Sequence, residues 1–146
     1  MRRVMIALMV GALLLVQTTA VLADTYTGTS GDDFILGSTS DDIMSGKGGN
    51  DDLYGRIGND ILYGDSGNDY LFGAMDNDTL YGGSGNDTLE GADGTDTYYG
   101  GPGDDVIEAF DGVAEIIDCG PGYDTVTADV NDTVASNCES VERMQL

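Results

Sequence analysis

Residues 82–108 read G-G-S-G-N-D-T-L-E, G-A-D-G-T-D-T-Y-Y and G-G-P-G-D-D-V-I-E, three copies of one nine-residue pattern laid end to end. Working outward from this stretch, Gly recurs at 28, 37, 46, 55, 64, 73, 82, 91 and 100, and Asp at 33, 42, 51, 60, 69, 78, 87, 96 and 105, without a slip. The fourth residue of each nonamer is usually Gly and the fifth is Asn, Asp or Thr. The eighth is large or apolar: Ile35, Met44, Leu53, Leu62, Leu71, Leu80, Leu89, Tyr98 and Ile107. A fixed period of this kind, sustained over nine copies, is the signature of a stacked-repeat architecture.

The six Gly- and Asp-rich residues of a copy make a turn, because Gly reaches positive φ cheaply and Asn or Asp tolerates it. The last three make a short strand, in which the eighth side chain points one way and the seventh and ninth the other. A single nonamer cannot bury its apolar residue, but stacked copies bury all of them in common.

The pattern resembles the repeats-in-toxin (RTX, haemolysin-type) calcium-binding repeats, whose motif is G-G-x-G-x-D-x-U-x. The resemblance runs from Gly28 to Glu108, with a weaker echo, C-G-P-G-Y-D-T-V-T, from Cys119 to Thr127. It implies an all-β fold, a parallel β-roll in which two nonamers make one 18-residue coil. It also implies Ca2+ between successive turns, held by the sixth-position Asp of two coils and by backbone carbonyls. Carried onto this sequence, one metal column is Asp33, Asp51, Asp69, Asp87 and Asp105, and the other is Asp42, Asp60, Asp78 and Asp96. Neighbouring pairs define up to seven inter-coil positions. The chemistry is consistent with this: Ca2+ takes about 6 to 8 oxygen ligands in adaptable geometry, whereas Mg2+ prefers smaller octahedral sites and keeps its waters. An EF-hand is excluded, since no D-x-[DN]-x-[DN]-G loop ending in Glu is present.

The copies depart from the motif in informative places. Position two is Gly only at Gly83 and Gly101 and is elsewhere Thr29, Ser38, Lys47, Arg56, Asp65, Ala74 or Ala92. Position four is Ser40 and Asp76 in two copies. Where such a position demands positive φ, a non-Gly residue costs about 1 kcal/mol or more, so distorted turns are expected near Ser40 and Asp76. Lys47 and Arg56 also bring positive charge into the turns.

Composition narrows the function. The 146 residues carry 27 Asp and Glu against 5 Lys and Arg, a net charge of −22, with no His. Such acidity argues against nucleic-acid and anionic-membrane partners, which need a basic surface. Without His there is no Ser-His-Asp or Cys-His nucleophile and no imidazole metal site. The start of the chain reads as a cleaved signal peptide over residues 1–23: Arg2 and Arg3, an apolar run from Val4 to Val16, and a Val21-Leu22-Ala23 end. That run of 13 residues is shorter than the roughly 18 that span a bilayer, so no membrane span is expected in the mature chain. Residues 24–146 then carry −24, a charge that places the chain, by composition alone, among those that do not fold unaided. Seven Ca2+ would reduce it to −10.

Residues 24–108 are thus read as nine repeats forming the β-roll, and 109–146 as a degenerate coil with a C-terminal cap. After Glu108 the period slips, the sixth position falls on Ala114, and no carboxylate is expected there. Cys119 and Cys138, 19 residues apart, fall on neighbouring layers within reach of a disulfide, the default for two cysteines in a secreted chain. Tyr63, Tyr81 and Tyr99, flanked by Ser45, Ile43, Ile61, Thr79 and Thr97, form an outward ladder open to two readings, cross-strand packing or a glycan-binding face. N-D-T triplets at Asn77, Asn86 and Asn131 match glycosylation acceptors, two of them as by-products of the repeat. Three functional classes follow: a secreted, extracellular calcium-binding protein that is not an enzyme; an adhesin or glycan-binding module using the Tyr ladder, with a glycan or cell-surface partner; and, least favoured, a calcium-dependent polysaccharide-acting enzyme with Arg56 or Arg143 as base.

Overall fold

A computed structural model describes residues 4–6 and 23–145. The signal peptide expected over 1–23 lies outside the described residues, apart from the short strand Val4–Ile6 and residue 23. The described chain is built of strands and turns, and none of it is helical.

Two parallel sheets carry the alternate nonamers. The first contains Val4–Ile6, Thr25–Thr27, Ile43–Ser45, Ile61–Ser66, Thr79–Ser84, Thr97–Tyr99, Ile116–Asp118 and Thr133–Val134 in that spatial order. The second contains Phe34–Leu36, Asp52–Ile57, Tyr70–Met75, Thr88–Asp93, Val106–Ala109, Thr125–Asp129 and Ser140–Met144. Each strand pairs with the one a coil away, as in Ile61↔Thr79↔Thr97 and Tyr70↔Thr88↔Val106, a repeat of 18 residues. Successive nonamers therefore alternate between sheets, and the chain winds a β-solenoid of about seven turns with 18-residue coils, as expected.

The core is the eighth-position set. Met44, Leu53, Leu62, Leu71, Leu80, Leu89, Tyr98 and Ile107 are wholly buried and Ile35 nearly so. Ile117 and Val126 extend the column past the last regular nonamer. Fully burying such a side chain contributes about 1.5–3 kcal/mol, and every coil presents two.

Strands in the middle coils are longer than the three residues expected. Asp52–Ile57, for instance, continues through Gly55 into the next turn, because its register with the following coil resumes at Arg56↔Ala74 and Ile57↔Met75. From the second coil on, position two takes the left-handed region: φ is +82° at Lys47, +91° at Arg56 and Ala74, +73° at Asp65 and +71° at Ala92, alongside +109° at Gly83, whereas Thr29 and Ser38 in the first coil stay out of it. At position four, Asp76 takes φ +74°, whereas Ser40 stays out of that region, so the expected strain is present at Asp76 and absent at Ser40.

Beyond Glu108 the sheets continue. The coil step lengthens to 19 residues at Thr97↔Ile116 and Val106↔Thr125, then shortens to 17 at Ile116↔Thr133. One inserted residue thus lies between Val106 and Ile116, which moves Glu115, not Ala114, into the sixth position. Cys119 and Cys138 form a disulfide with Cα atoms 5.3 Å apart, tying the two last coils together. Arg143 donates from Nη1 to the carbonyls of Asp129 and Asp132, covering the C-terminal end of the roll.

Candidate metal centre

The sixth-position Asp residues stack in two columns. The amide N–H of each donates to Oδ1 of its counterpart one coil later: Asp33 to Asp51, Asp51 to Asp69 and Asp69 to Asp87 at 2.8 Å, and Asp87 to Asp105 at 2.9 Å. In the other column Asp42, Asp60 and Asp78 donate to Asp60, Asp78 and Asp96, all at 2.7 Å. One oxygen of each carboxylate above the first coil, Asp51, Asp60, Asp69, Asp78, Asp87, Asp96 and Asp105, is thereby committed to holding coils in register. The other is not: Oδ2 of Asp51, Asp60, Asp69, Asp78, Asp87, Asp96 and Asp105 is buried without a hydrogen-bond partner.

The first position of the nonamer is Gly because of these oxygens. At Gly82 an added Cβ would lie 2.5 Å from Asp87 Oδ2 and 2.6 Å from the carbonyl oxygen of Gly100 on the next coil. At position four the carbonyl oxygens of Gly67 and Gly85 similarly occupy the place of a Cβ on Gly85 and Gly103 of the following coil. Carboxylate and carbonyl oxygens thus crowd the space between consecutive turns.

Burial is the principal electrostatic cost. It pushes the carboxyls of Asp51, Asp96 and Asp105 up to about 6, those of Asp60 and Asp87 to about 7, and that of Asp78 to about 8, against which the single N–H bond is a partial offset. An ionised carboxylate so placed needs either a proton or a cation. Among the described residues no three acidic side chains converge on one point. An ion between coils would therefore take two carboxylates at most and complete its shell from turn carbonyls, an all-oxygen donor set that suits a hard cation of variable coordination.

The nine predicted residues are not equivalent. In the first coil Asp33 Oδ2 accepts from Thr29 N at 2.5 Å and Oγ1 at 2.9 Å, and Asp42 Oδ2 accepts from Ser38 N at 2.6 Å. Thr29 and Ser38, departures from Gly at position two, thus satisfy the carboxylates that the later turns leave unpartnered. The columns also run further than predicted. Asp105 N donates to Asp124 Oδ1 at 2.9 Å and Asp124 N to Glu139 Oε2 at 3.0 Å, and Asp124 Oδ2 and Glu115 Oε2 join the buried unpartnered oxygens. The Asp124 signal was available in the echo from Cys119 to Thr127.

A second ladder runs in the opposite direction and was missed. Fifth-position side chains accept from the backbone of the following coil: Asp32 from Asn50 N, Asn50 from Asn68 N and Asn68 from Asn86 N, each at 2.8 Å, and on the other side Asp41 from Asn59 N and Asn77 from Thr95 N. Most repeat turns are therefore hydrogen-bonded to their neighbours in both directions by their two Asx residues, the turn with Thr95 in fifth place being an exception. Asn77 and Asn86, in the glycosylation triplets, are members of this ladder.

On the outer face of the first sheet Tyr63, Tyr81 and Tyr99 stack with centroids 4.8 and 4.7 Å apart and planes within 11°. The second sheet carries an aromatic cluster that was not anticipated, Phe34, Tyr54, Tyr70 and Phe72, in tilted and edge contacts near 5.3–6.0 Å.

The sequence matches the RTX calcium-binding nonapeptide repeat (4 copies) over residues 22–53, 45–80 and 72–107. No curated protein matches the chain, and no solved structure does. Turns with one sixth-position Asp each, wound into 18-residue coils and matched continuously from residue 22 to 107, place this chain in the RTX calcium-binding nonapeptide repeat family.

Proposed function

We propose that the chain is a secreted, extracellular calcium-binding protein whose folding is coupled to Ca2+ held between stacked turns, with residues 24–108 as the binding repeats and 109–146 as the cap. The observation that carries this reading is the row of buried carboxylate oxygens without partners at Asp51, Asp60, Asp69, Asp78, Asp87, Asp96 and Asp105. In the metal-free roll these oxygens oppose folding, and a cation between coils turns the same groups into ligands. Asp33 and Asp42, already hydrogen-bonded by Thr29 and Ser38, contribute less. Secretion is supported by the leader reading of residues 1–23 and by the disulfide, which persists in oxidising compartments. Among the described residues no helix is long and apolar enough to cross a membrane. External calcium, abundant where cytosolic calcium is scarce, would drive folding after export by mass action.

The Tyr ladder is better read as packing than as a glycan platform. Its rings face one another at the spacing of neighbouring strands, so inner ring faces are covered and a sugar would meet edges. The enzyme reading loses its proposed base at Arg143, whose guanidinium is engaged with the Asp129 and Asp132 carbonyls. Equilibrium dialysis of residues 24–146 with Ca2+, and with Mg2+ as control, tests the proposal: several Ca2+ per chain are expected, and equal uptake of both ions, or none, would overturn it.

A further inference from the structure

The outer face of the second sheet changes chemistry partway along the roll, and two rows change at the same coil. Across the strands the ninth-position row runs Leu36, Tyr54, Phe72 and then Glu90 and Glu108, while the third-position row beside it runs Ile57, Met75 and then Asp93. On the first sheet the third-position row holds Ser66 and Ser84 instead. On the apolar half Phe34 is 62% exposed, Met75 51% and Ile57 40%, beside the half-buried rings of Tyr54, Tyr70 and Phe72. Contiguous exposed apolar surface of this kind marks a place where a partner sits. On the acidic half a groove of about 240 Å3 opens between Glu90, Glu108 and Asp111, with Phe110, Met144 and Ala92 as its apolar walls. Glu90 and Glu108 lie directly opposite each other in the ladder, a like-charge pair that costs stability. The Tyr70 hydroxyl, reaching over from the apolar half, donates to Glu90 Oε2 at 2.8 Å and holds it at the groove. The counter-charge does not come from within. Among the described residues Lys47 is paired with Asp65, and the guanidinium groups of Arg56 and Arg143 are turned to the carbonyls of Gly37 and of Asp129 and Asp132.

We propose that this face docks a basic, amphipathic segment of another protein. Its apolar side covers Tyr54, Ile57, Phe72 and Met75, and a Lys or Arg side chain enters the groove between Glu90 and Glu108. The groove is smaller than the roughly 300–1,000 Å3 of small-molecule sites, which suits one long side chain rather than a whole ligand. Its walls select an organic cation over a hydrated metal ion: Phe110 offers an aromatic ring to an ammonium or guanidinium group, and Met144 and Ala92 offer apolar contact to its methylene stem. Ca2+ seeks a shell of about 6 to 8 oxygens, and a ring and a thioether supply none. A second copy of this chain fits the face poorly, since it brings the same acids to the contact while its Arg56 and Arg143 are already engaged. The face exists only when coils are stacked, so docking needs the folded roll, whatever folds it, and stands apart from the calcium reading.

The test uses residues 24–146 in the folded state, checked by far-UV circular dichroism, and two labelled probes. One is a Leu/Lys peptide with leucines on one helical side and lysines on the other, and the second is a Ser/Lys peptide of the same charge. By fluorescence anisotropy the Leu/Lys peptide is expected to bind about tenfold more tightly than Ser/Lys, and either Glu90→Gln with Glu108→Gln or Ile57→Ser with Met75→Ser to weaken it about tenfold. Asp65→Asn with Asp118→Asn removes the same charge from the first sheet and is expected to leave binding unchanged. Carbodiimide coupling of the bound peptide is expected to join its lysines to Glu90, Glu108 or Asp111. Equal binding of the two peptides, equal loss in the two charge-removing pairs, or coupling spread over turn acids such as Asp32 and Asp41 would overturn the inference. So would self-association of the chain that Ile57→Ser with Met75→Ser abolishes, which would make a second copy the occupant.

Discussion

Acid should fold this chain when calcium is absent. The carboxyls of Asp51, Asp96 and Asp105 lie at about 6 in the roll, Asp60 and Asp87 at about 7, Asp78 at about 8 and Glu115 at about 9, against ordinary values of 3.8 for Asp and 4.5 for Glu. Burial raises all of them, so folding without metal takes up protons. The contribution of these groups to stability is fully present below pH about 4 and is lost as pH rises through 6 to 9. Near pH 5 the unfolded chain has released these protons while the roll retains them. If three of the seven behave this way, the metal-free roll gains on the order of 4 kcal/mol per pH unit on acidification. The assay is far-UV circular dichroism of residues 24–146 in chelator between pH 8 and pH 5, with proton uptake followed potentiometrically. The expected result is coil at pH 8 and β structure at pH 5, with protons and Ca2+ competing for the same oxygens, so that less Ca2+ is needed to fold the chain as pH falls and each ion bound at low pH displaces protons. A metal-free chain that stays coil at pH 5, or that is already folded at pH 8, would refute the claim that buried unpartnered carboxylates are what calcium neutralises.

Other perturbations separate the roles of individual positions. Asp78→Asn, which keeps an acceptor for the Asp60 N–H but removes an unpartnered oxygen, should raise the Ca2+ concentration at the folding midpoint severalfold, whereas Asp33→Asn should shift it far less, since Thr29 already satisfies that carboxylate; calcium titrations of the two variants compare them. Ala74→Gly relieves φ +91° and should stabilise the calcium-saturated roll by about 1 kcal/mol in urea denaturation. Cys138→Ser opens the Cys119–Cys138 loop and should cost about 3 kcal/mol in the same assay, with the repeat sites still binding.

Much of the roll was legible because its order is strictly periodic: the nine-residue frame fixes which side chains face inward, which sheet each strand joins and which aspartates stack. The frame is silent where it breaks. One residue inserted between Val106 and Ile116 moves Glu115 into the place assigned to Ala114, and the turn there, A-F-D-G-V-A-E, has lost the Gly and Asp spacing that would mark where the insertion falls. The fifth-position Asn and Asp residues were visible as composition, but the donors to their side chains lie 18 residues away, a relation that exists only once the coils are stacked. Thr29 and Ser38 illustrate a different loss. Read singly they are costly substitutions for Gly, yet in the first coil they avoid positive φ and serve the carboxylate four residues on. The Tyr ladder was placed on the correct face by alternation, while the ring orientation that bears on its use depends on rotamers that no pattern encodes.

Calcium, on the reading proposed above, is what folds this chain. The most direct test is a calcium titration of residues 24–146 at pH 8 followed by far-UV circular dichroism, with Mg2+ as control and the disulfide intact. A cooperative change from coil to β is expected with Ca2+ and none with Mg2+. A spectrum already β in chelator and unchanged by Ca2+ would contradict it.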